Sequence, residues 1–365
     1  MNSLKARKGI LELALYVPGK PVEEVQREYN LKEVAKLASN ENPLGSSPKA
    51  LEAIREELER VFMYPEGSSP ALRAALAAKY GVDESQIVVG TGGDQVIAMV
   101  AEAFLNEGDE VIVPVPSFKT FETATVIMGG RLVGVPVNQE TLGLDLEAML
   151  GAITDRTKII FLCNPNNPTG TIVRRPEVED FLSRVPARCL VVFDEAYFEY
   201  VDDPQYPDGI GYVKQEKNVV VIRTFSKVYG LAGLRIGYAV GPKAVIDILA
   251  RVLPPFPANR LAQAGALAAL SDDDFTREVL RVNQEGRAYL LDEFTKLGMV
   301  CAESHANFIF VDVKHDAAKL NTKLLPRGFI LRPGGGWGRP TSFRVTIGTM
   351  EENRKLIAAL KELIG

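Results

Sequence analysis

Five apolar runs in this sequence end on residues able to bind an anion, hold an amine or carry a proton. After Gln86-Ile87-Val88-Val89 comes Gly90-Thr91-Gly92-Gly93-Asp94-Gln95, and after residues 110–115 comes Pro116-Ser117-Phe118. Residues 158–163 run into Asn164-Pro165-Asn166-Asn167-Pro168-Thr169-Gly170. Residues 189–193 run into Asp194-Glu195-Ala196-Tyr197, and residues 218–224 into Phe225-Ser226-Lys227. A glycine-rich turn opening a helix suits a phosphate, because the first N–H groups have no intrahelical partner and the helix dipole favours an anion. It is no dinucleotide fingerprint, since Gln95 stands where G-x-G-x-x-G needs its third glycine. Asp194 either caps the next turn or sits as an ionised carboxylate beside a pyridine nitrogen. Lys227 reads as a surface charge or as a reactive amine, with Thr224, Ser226 and Arg235 near enough in sequence to bind a phosphate beside it.

Histidine is a poor candidate for the proton carrier. The two histidines, His305 and His315, have no neighbours of the kind a Ser-His-Asp triad or a metal site requires. Cys163, Cys189 and Cys301 are too far apart for a zinc site or a disulfide framework and read as buried, reduced thiols. No metal is expected.

The elements that must position these residues follow from the pattern. Seven β-branched runs (86–90, 110–115, 131–137, 158–163, 189–195, 218–224 and 235–241) alternate with amphipathic stretches. Strand and helix in alternation predict a largely parallel sheet with helices on both faces. In such sheets ligands bind beyond the carboxyl ends of the strands, which is where the polar residues above fall. Past Pro254-Pro255-Phe256-Pro257 a long helical stretch is expected over 260–298. Two further strands, at 307–313 and 342–348, and a last helix at 351–364 complete a smaller α+β unit. The expected division is an arm at 1–35, a large domain at 36–270 and a small domain at 271–365. A chain of 365 residues exceeds what one core usually supports.

With 42 Lys and Arg against 47 Asp and Glu, the net charge of −5 argues against a general nucleic-acid partner. No apolar run reaches the roughly 18 residues of a membrane span. Glu12 interrupts the short apolar stretch near the N-terminus, so no signal peptide is read and a cytoplasmic location is expected.

The motifs NPTG, DEAY and SKVYGLAGLR together resemble the fold-type I, class-II-like pyridoxal-phosphate-dependent transferases. YVPGKP, ASNENPLG, YPEGSSP and LRP…RVTIGT narrow the resemblance to the histidinol-phosphate aminotransferase family over nearly the whole length. The resemblance implies transamination between histidinol phosphate and 2-oxoglutarate in histidine biosynthesis. Lys227 would hold pyridoxal 5'-phosphate as a Schiff base and move the proton, and Asp194 would pair with the pyridinium nitrogen. Asn167 and Tyr197 would bond the phenolic O3′, and Phe118 would stack on the ring, where relatives commonly have tyrosine. Gly93, Asp94 and Gln95 with Thr224, Ser226 and Arg235 would hold the phosphate. Tyr64 would reach the phosphate of a neighbouring subunit, so a homodimer with shared sites is implied. Arg344 and Asn167 would receive the substrate carboxylate, and Arg332 with Tyr16 the substrate phosphate. Three other functions remain open: a phenylalanine or tyrosine aminotransferase, a phosphothreonine decarboxylase, and a non-enzymatic cofactor-binding regulator. The regulator would carry a DNA-binding segment, and none is read ahead of residue 36. The glycine-rich stretch 334–338 reads as a mobile loop or, through Trp337, as pocket lining.

Overall fold

The seven runs are the seven strands of the main sheet in a computed structural model that describes residues 6–15 and 19–364. The strands are β1 (Ala35–Lys36), β2 (Ile87–Gly90), β3 (Glu110–Val115), β4 (Arg131–Pro136), β5 (Thr157–Cys163), β6 (Leu190–Asp194), β7 (Val219–Thr224) and β8 (Gly237–Val240). They continue with β9 (Val300–Cys301), β10 (Phe308–Asp312), β11 (Phe329–Ile330), β12 (Arg332–Pro333) and β13 (Ser342–Thr346). The main sheet has the order β2-β8-β7-β6-β5-β3-β4.

β3 to β7 pair in parallel, whereas β8 runs antiparallel to both β7 and β2. The reason lies in the connection. Only residues 225–236 separate β7 from β8, and they hold a single short 3-10 turn, Ala232–Leu234. No α-helix lies there to carry the chain back across the sheet, as a parallel neighbour usually requires.

Side chains alternate across the sheet, and both faces are buried. Val191, Phe193, Val219 and Val221 pack into one core. Leu190, Val192, Val220 and Ile222 pack into the other, against the helices at Gly92–Phe104, Lys119–Ile127 and Lys243–Val252. The next residue in each strand continues the alternation, so Asp194 and Thr224 share the second face and Glu195 and Arg223 the first.

A four-stranded sheet of order β12-β13-β10-β9 packs with the helix Met350–Ile364 around a separate core, joined by Leu37. β1 pairs in parallel with β11, tying residues 35–36 to the C-terminal part of the chain. The long helical stretch expected over 260–298 is two helices, Arg260–Ala269 and Asp273–Lys296. The break falls at Asp272, whose side chain caps the second helix and accepts a hydrogen bond from Ser47 Oγ at 2.5 Å. An Asp offered a backbone N–H and a buried hydroxyl does better as a cap than inside a helix. Among the described residues no helix is long and apolar enough to cross a membrane.

Candidate active site

The carboxyl ends of the parallel strands converge on Lys227, with Asp194 and Tyr197 coming from β6 and its exit. Lys227 Nζ donates to the Ser39 carbonyl at 3.3 Å and lies 5.7 Å from the centroid of the Tyr197 ring. Burial lowers its pKa to about 8, and the nearby Arg344 guanidinium pushes in the same direction. An amine so placed reaches its uncharged form, the one that attacks a carbonyl carbon, at lower pH than an ordinary lysine. Asp194 is buried at the end of β6, and its Oδ1 accepts from the Ala196 N–H at 3.1 Å. Desolvation raises its carboxyl to about 7. Such a group gains from a protonated nitrogen placed against it.

A hydrogen-bonded chain fixes the Tyr197 hydroxyl. Asn40 Nδ2 donates to it at 2.9 Å and Asn167 Nδ2 at 3.3 Å, while Arg344 Nη1 donates to Asn167 Oδ1 at 2.7 Å. Arg344 Nη2 donates to the Ala38 carbonyl at 2.6 Å. Burial raises the Tyr197 pKa, so the hydroxyl keeps its proton. Phe118 precedes the helix Lys119–Ile127 and meets Phe121 edge-on at 5.8 Å.

The anion cradle is the start of the helix Gly92–Phe104, where no side chain caps the first turn. Gly92 has φ +79°, and a Cβ there would lie 2.7 Å from Arg235 Nη2, so only glycine admits this approach. Arg235 Nη2 pairs with Asp94 at 2.9 Å, and Gln95 Oε1 accepts from the Thr91 N–H at 2.5 Å. Across the cradle Thr224 Oγ1 donates to Ser226 Oγ at 3.0 Å, both residues being buried. Free helix N–H groups with two hydroxyls and a guanidinium are donors suited to a phosphate dianion. The buried lysine with its lowered pKa, the buried carboxyl of Asp194 and this cradle together fit pyridoxal phosphate.

Arg332 and Arg344 stand directly opposite each other on β12 and β13. Trp337, in the 3-10 turn Gly334–Trp337, lies over both guanidiniums. The stretch read as a mobile loop or pocket lining forms a short 3-10 turn that brings Trp337 to the two arginines. Tyr64 is not part of the cluster within one chain. It is 78% exposed and stacks on Phe256 at 4.6 Å, beside a surface hollow of about 240 Å³. Tyr16 lies outside the described residues.

Sequence reasoning missed Ser39 and Asn40, which touch Lys227 and Tyr197. Asn40 is tied down by Thr346 Oγ1 and by Asn307 Nδ2, at 3.0 Å each. The signal was the polar run Ser39-Asn40-Glu41-Asn42 directly after the strand-like Ala35–Leu37.

The sequence profile described as aminotransferase class I and II matches residues 32–360. A histidinol-phosphate aminotransferase of Moorella thermoacetica is 48% identical over 361 residues, covering 99% of this chain and 93% of that protein. The crystal structure of histidinol-phosphate aminotransferase from Sinorhizobium meliloti in complex with pyridoxal-5'-phosphate superposes with a TM-score of 0.89. It is 29% identical and covers 99% of this chain and 98% of its own. Aspartate aminotransferase from Thermus thermophilus superposes at 0.82 with 27% identity, covering 94% and 97%. The same scaffold therefore serves donors of different chemistry, and the extent of the first match places this chain: it belongs to the class I and II aminotransferases, in the histidinol-phosphate aminotransferase family.

Proposed function

We propose that the protein is a pyridoxal-phosphate-dependent aminotransferase that moves the amino group of histidinol phosphate to 2-oxoglutarate, a step of histidine biosynthesis. The observation that carries the substrate reading is the facing pair Arg332 and Arg344. Guanidinium forks bind phosphate and carboxylate alike, so the pair suits a phosphorylated donor and a dicarboxylate acceptor in turn.

Bound in the cradle, pyridoxal phosphate supplies a carbonyl carbon for amines and a ring that accepts electron density. Lys227 Nζ would hold that carbon and, as an uncharged amine, would move the proton of the donor's amine-bearing carbon. Asp194 would keep a proton on the ring nitrogen. Tyr197 and Asn167 would bond the ring's oxygen, Phe118 would stack on the ring, and Gly93, Asp94, Gln95, Thr224, Ser226 and Arg235 would hold the phosphate. Arg344, positioned by Asn167 and the Ala38 carbonyl, receives the acceptor's carboxylate. Tyr16 is proposed beside Arg332 at the donor phosphate.

We also propose a homodimer in which Tyr64 completes the partner's phosphate site. Phe62 and Tyr64 are 82% and 78% exposed, an apolar surface in keeping with a covered face. Nearby, Thr91 Oγ1 donates to the Pro257 carbonyl, which brings the Phe256–Tyr64 stack close to the start of the cradle. The division into an arm at 1–35, a large domain at 36–270 and a small domain at 271–365 is supported by the separate core of β10 and β13. Steady-state kcat/KM for histidinol phosphate, phenylalanine and tyrosine against 2-oxoglutarate tests the substrate reading. Histidinol phosphate should be strongly preferred; a preference for phenylalanine or tyrosine would make the protein an aromatic aminotransferase.

A further inference from the structure

The Tyr197 hydroxyl is held as a donor. It accepts from Asn40 Nδ2 at 2.9 Å and from Asn167 Nδ2 at 3.3 Å, and among the described residues it donates to none. A hydroxyl oxygen has two lone pairs and one proton, so with both acceptor positions taken only the proton is left to offer. Two N–H groups on that oxygen also polarise its O–H bond and strengthen what it donates.

An amide turned over would present its oxygen to Tyr197 and take the phenolic proton for itself. Two different neighbours prevent this. Arg344 Nη1 donates to Asn167 Oδ1 at 2.7 Å, and a guanidinium accepts nothing, so the Asn167 oxygen must face it. For Asn40 the neighbour is Thr346. Its Oγ1 accepts from the Asn40 backbone N–H at 3.0 Å and donates to Asn40 Oδ1 at 3.1 Å. Turning the Asn40 amide would take the acceptor away from that buried hydroxyl proton.

The backbone at Asn40 is fixed as well. Its φ of +57° lies in the left-handed region, which Asn tolerates better than most residues, and Asn307 Nδ2 donates to its carbonyl at 3.0 Å. Thr346 ends β13 and Asn307 stands just before β10. The four-stranded sheet therefore sets an amide that acts on a tyrosine at the rim of the main sheet.

We propose that Asn40 and Thr346 are positioning residues for the reaction: Thr346 fixes the Asn40 amide, and that amide commits the Tyr197 proton to the ring oxygen of the bound cofactor. This rests on the reading above that Tyr197 bonds that oxygen, and adds the two residues that decide which partner gives the proton. Both act through Tyr197.

The test is a pH titration of the visible absorbance of the holoenzyme. A proton offered to the ring oxygen weakens that oxygen's hold on the proton of the nitrogen joined to Lys227, so losing the offer raises the midpoint. Tyr197→Phe should raise it by about one to two pH units, as for one hydrogen bond to a charged group. Asn40→Gly suits the positive φ, and Thr346→Val keeps the shape without the hydroxyl. Each should raise the midpoint by about half to one unit, whereas Thr346→Ser should keep it at the wild-type value. In a Tyr197→Phe background Asn40→Gly should add nothing, because its effect is carried by the missing hydroxyl. Wild-type midpoints in Asn40→Gly and Thr346→Val, beside a shifted Tyr197→Phe, would overturn the role of the pair. An undiminished shift from Asn40→Gly in the Tyr197→Phe background would overturn it too. An unshifted Tyr197→Phe would instead sink the underlying reading of Tyr197 and the pair's role with it.

Discussion

Arg223 donates two hydrogen bonds to one oxygen of Glu195, at 3.0 and 2.7 Å, on the sheet face opposite Asp194. Both side chains are 1% exposed. The Arg223 guanidinium also donates to Asp208 at 2.8 Å and lies 3.4 Å from the centre of the Phe198 ring. The pair thus clamps the end of β6 to the end of β7, and the next residues on the other face are Asp194 and Thr224. Glu195→Ala should cost about 3–5 kcal/mol in urea unfolding, because it leaves a buried cation without its carboxylate. Replacing both residues by Met should cost much less. A single variant as stable as wild type would show that Asp208 alone satisfies Arg223.

Lys227 should set the pH dependence of cofactor uptake. With its pKa lowered to about 8, the uncharged fraction rises through that pH and is nearly complete a unit above it. The rate at which ligand-free protein gains its visible absorbance with pyridoxal phosphate should climb accordingly and then level off. Arg344→Ala removes one cause of the depression, so the midpoint should move up. A midpoint that stays in place would mean that burial alone sets it. Lys227→Ala should retain some cofactor and lose nearly all transamination.

Asp194 should show opposite effects on stability and activity. Its folded pKa of about 7 lies above the ordinary 3.8, so the folded protein binds this proton more tightly than the unfolded chain. Its contribution to stability is full below about 3.8 and is lost as pH rises through about 7. Asp194→Asn should therefore make the ligand-free protein more stable than wild type at pH 8, as read by thermal unfolding. The same variant should lose about 10²-fold or more in transamination rate, since the ring nitrogen loses the charge that keeps it protonated. Unchanged kcat would make the carboxylate merely structural.

The strand exits were legible because parallel strands buried on both faces leave continuous apolar runs, and whatever polar residue ends such a run must sit at the sheet's rim. Lys227, Asp194 and Asn167 were visible for that reason. The direction of β8 does not show in the apolar pattern, which is the same for a strand running either way. Ser39 and Asn40 stand out in sequence only as a polar run, with nothing to place them at the site. They enter the site through the pairing of β1 with β11, a contact between residues nearly three hundred positions apart that no local pattern encodes. The facing of Arg344 and Arg332 across β13 and β12 is likewise a matter of register, which sequence periodicity leaves open.

Tyr64 tests whether the site is shared. In one chain its ring stacks on Phe256 and is largely exposed. In a two-fold dimer a contact to the partner's phosphate site would occur twice and give two identical composite sites. Tyr64→Phe removes one hydrogen bond to a charged group, worth roughly 1.5–3 kcal/mol, so cofactor affinity should fall by about one to two orders of magnitude with the dimer intact. A mixed dimer separates the alternatives. When a Lys227→Ala subunit meets a Tyr64→Ala subunit, one site carries both defects and the other carries neither. Such heterodimers should recover about half the wild-type activity, given independent sites. Heterodimers no more active than half the Tyr64→Ala homodimer would show that each Tyr64 serves its own subunit.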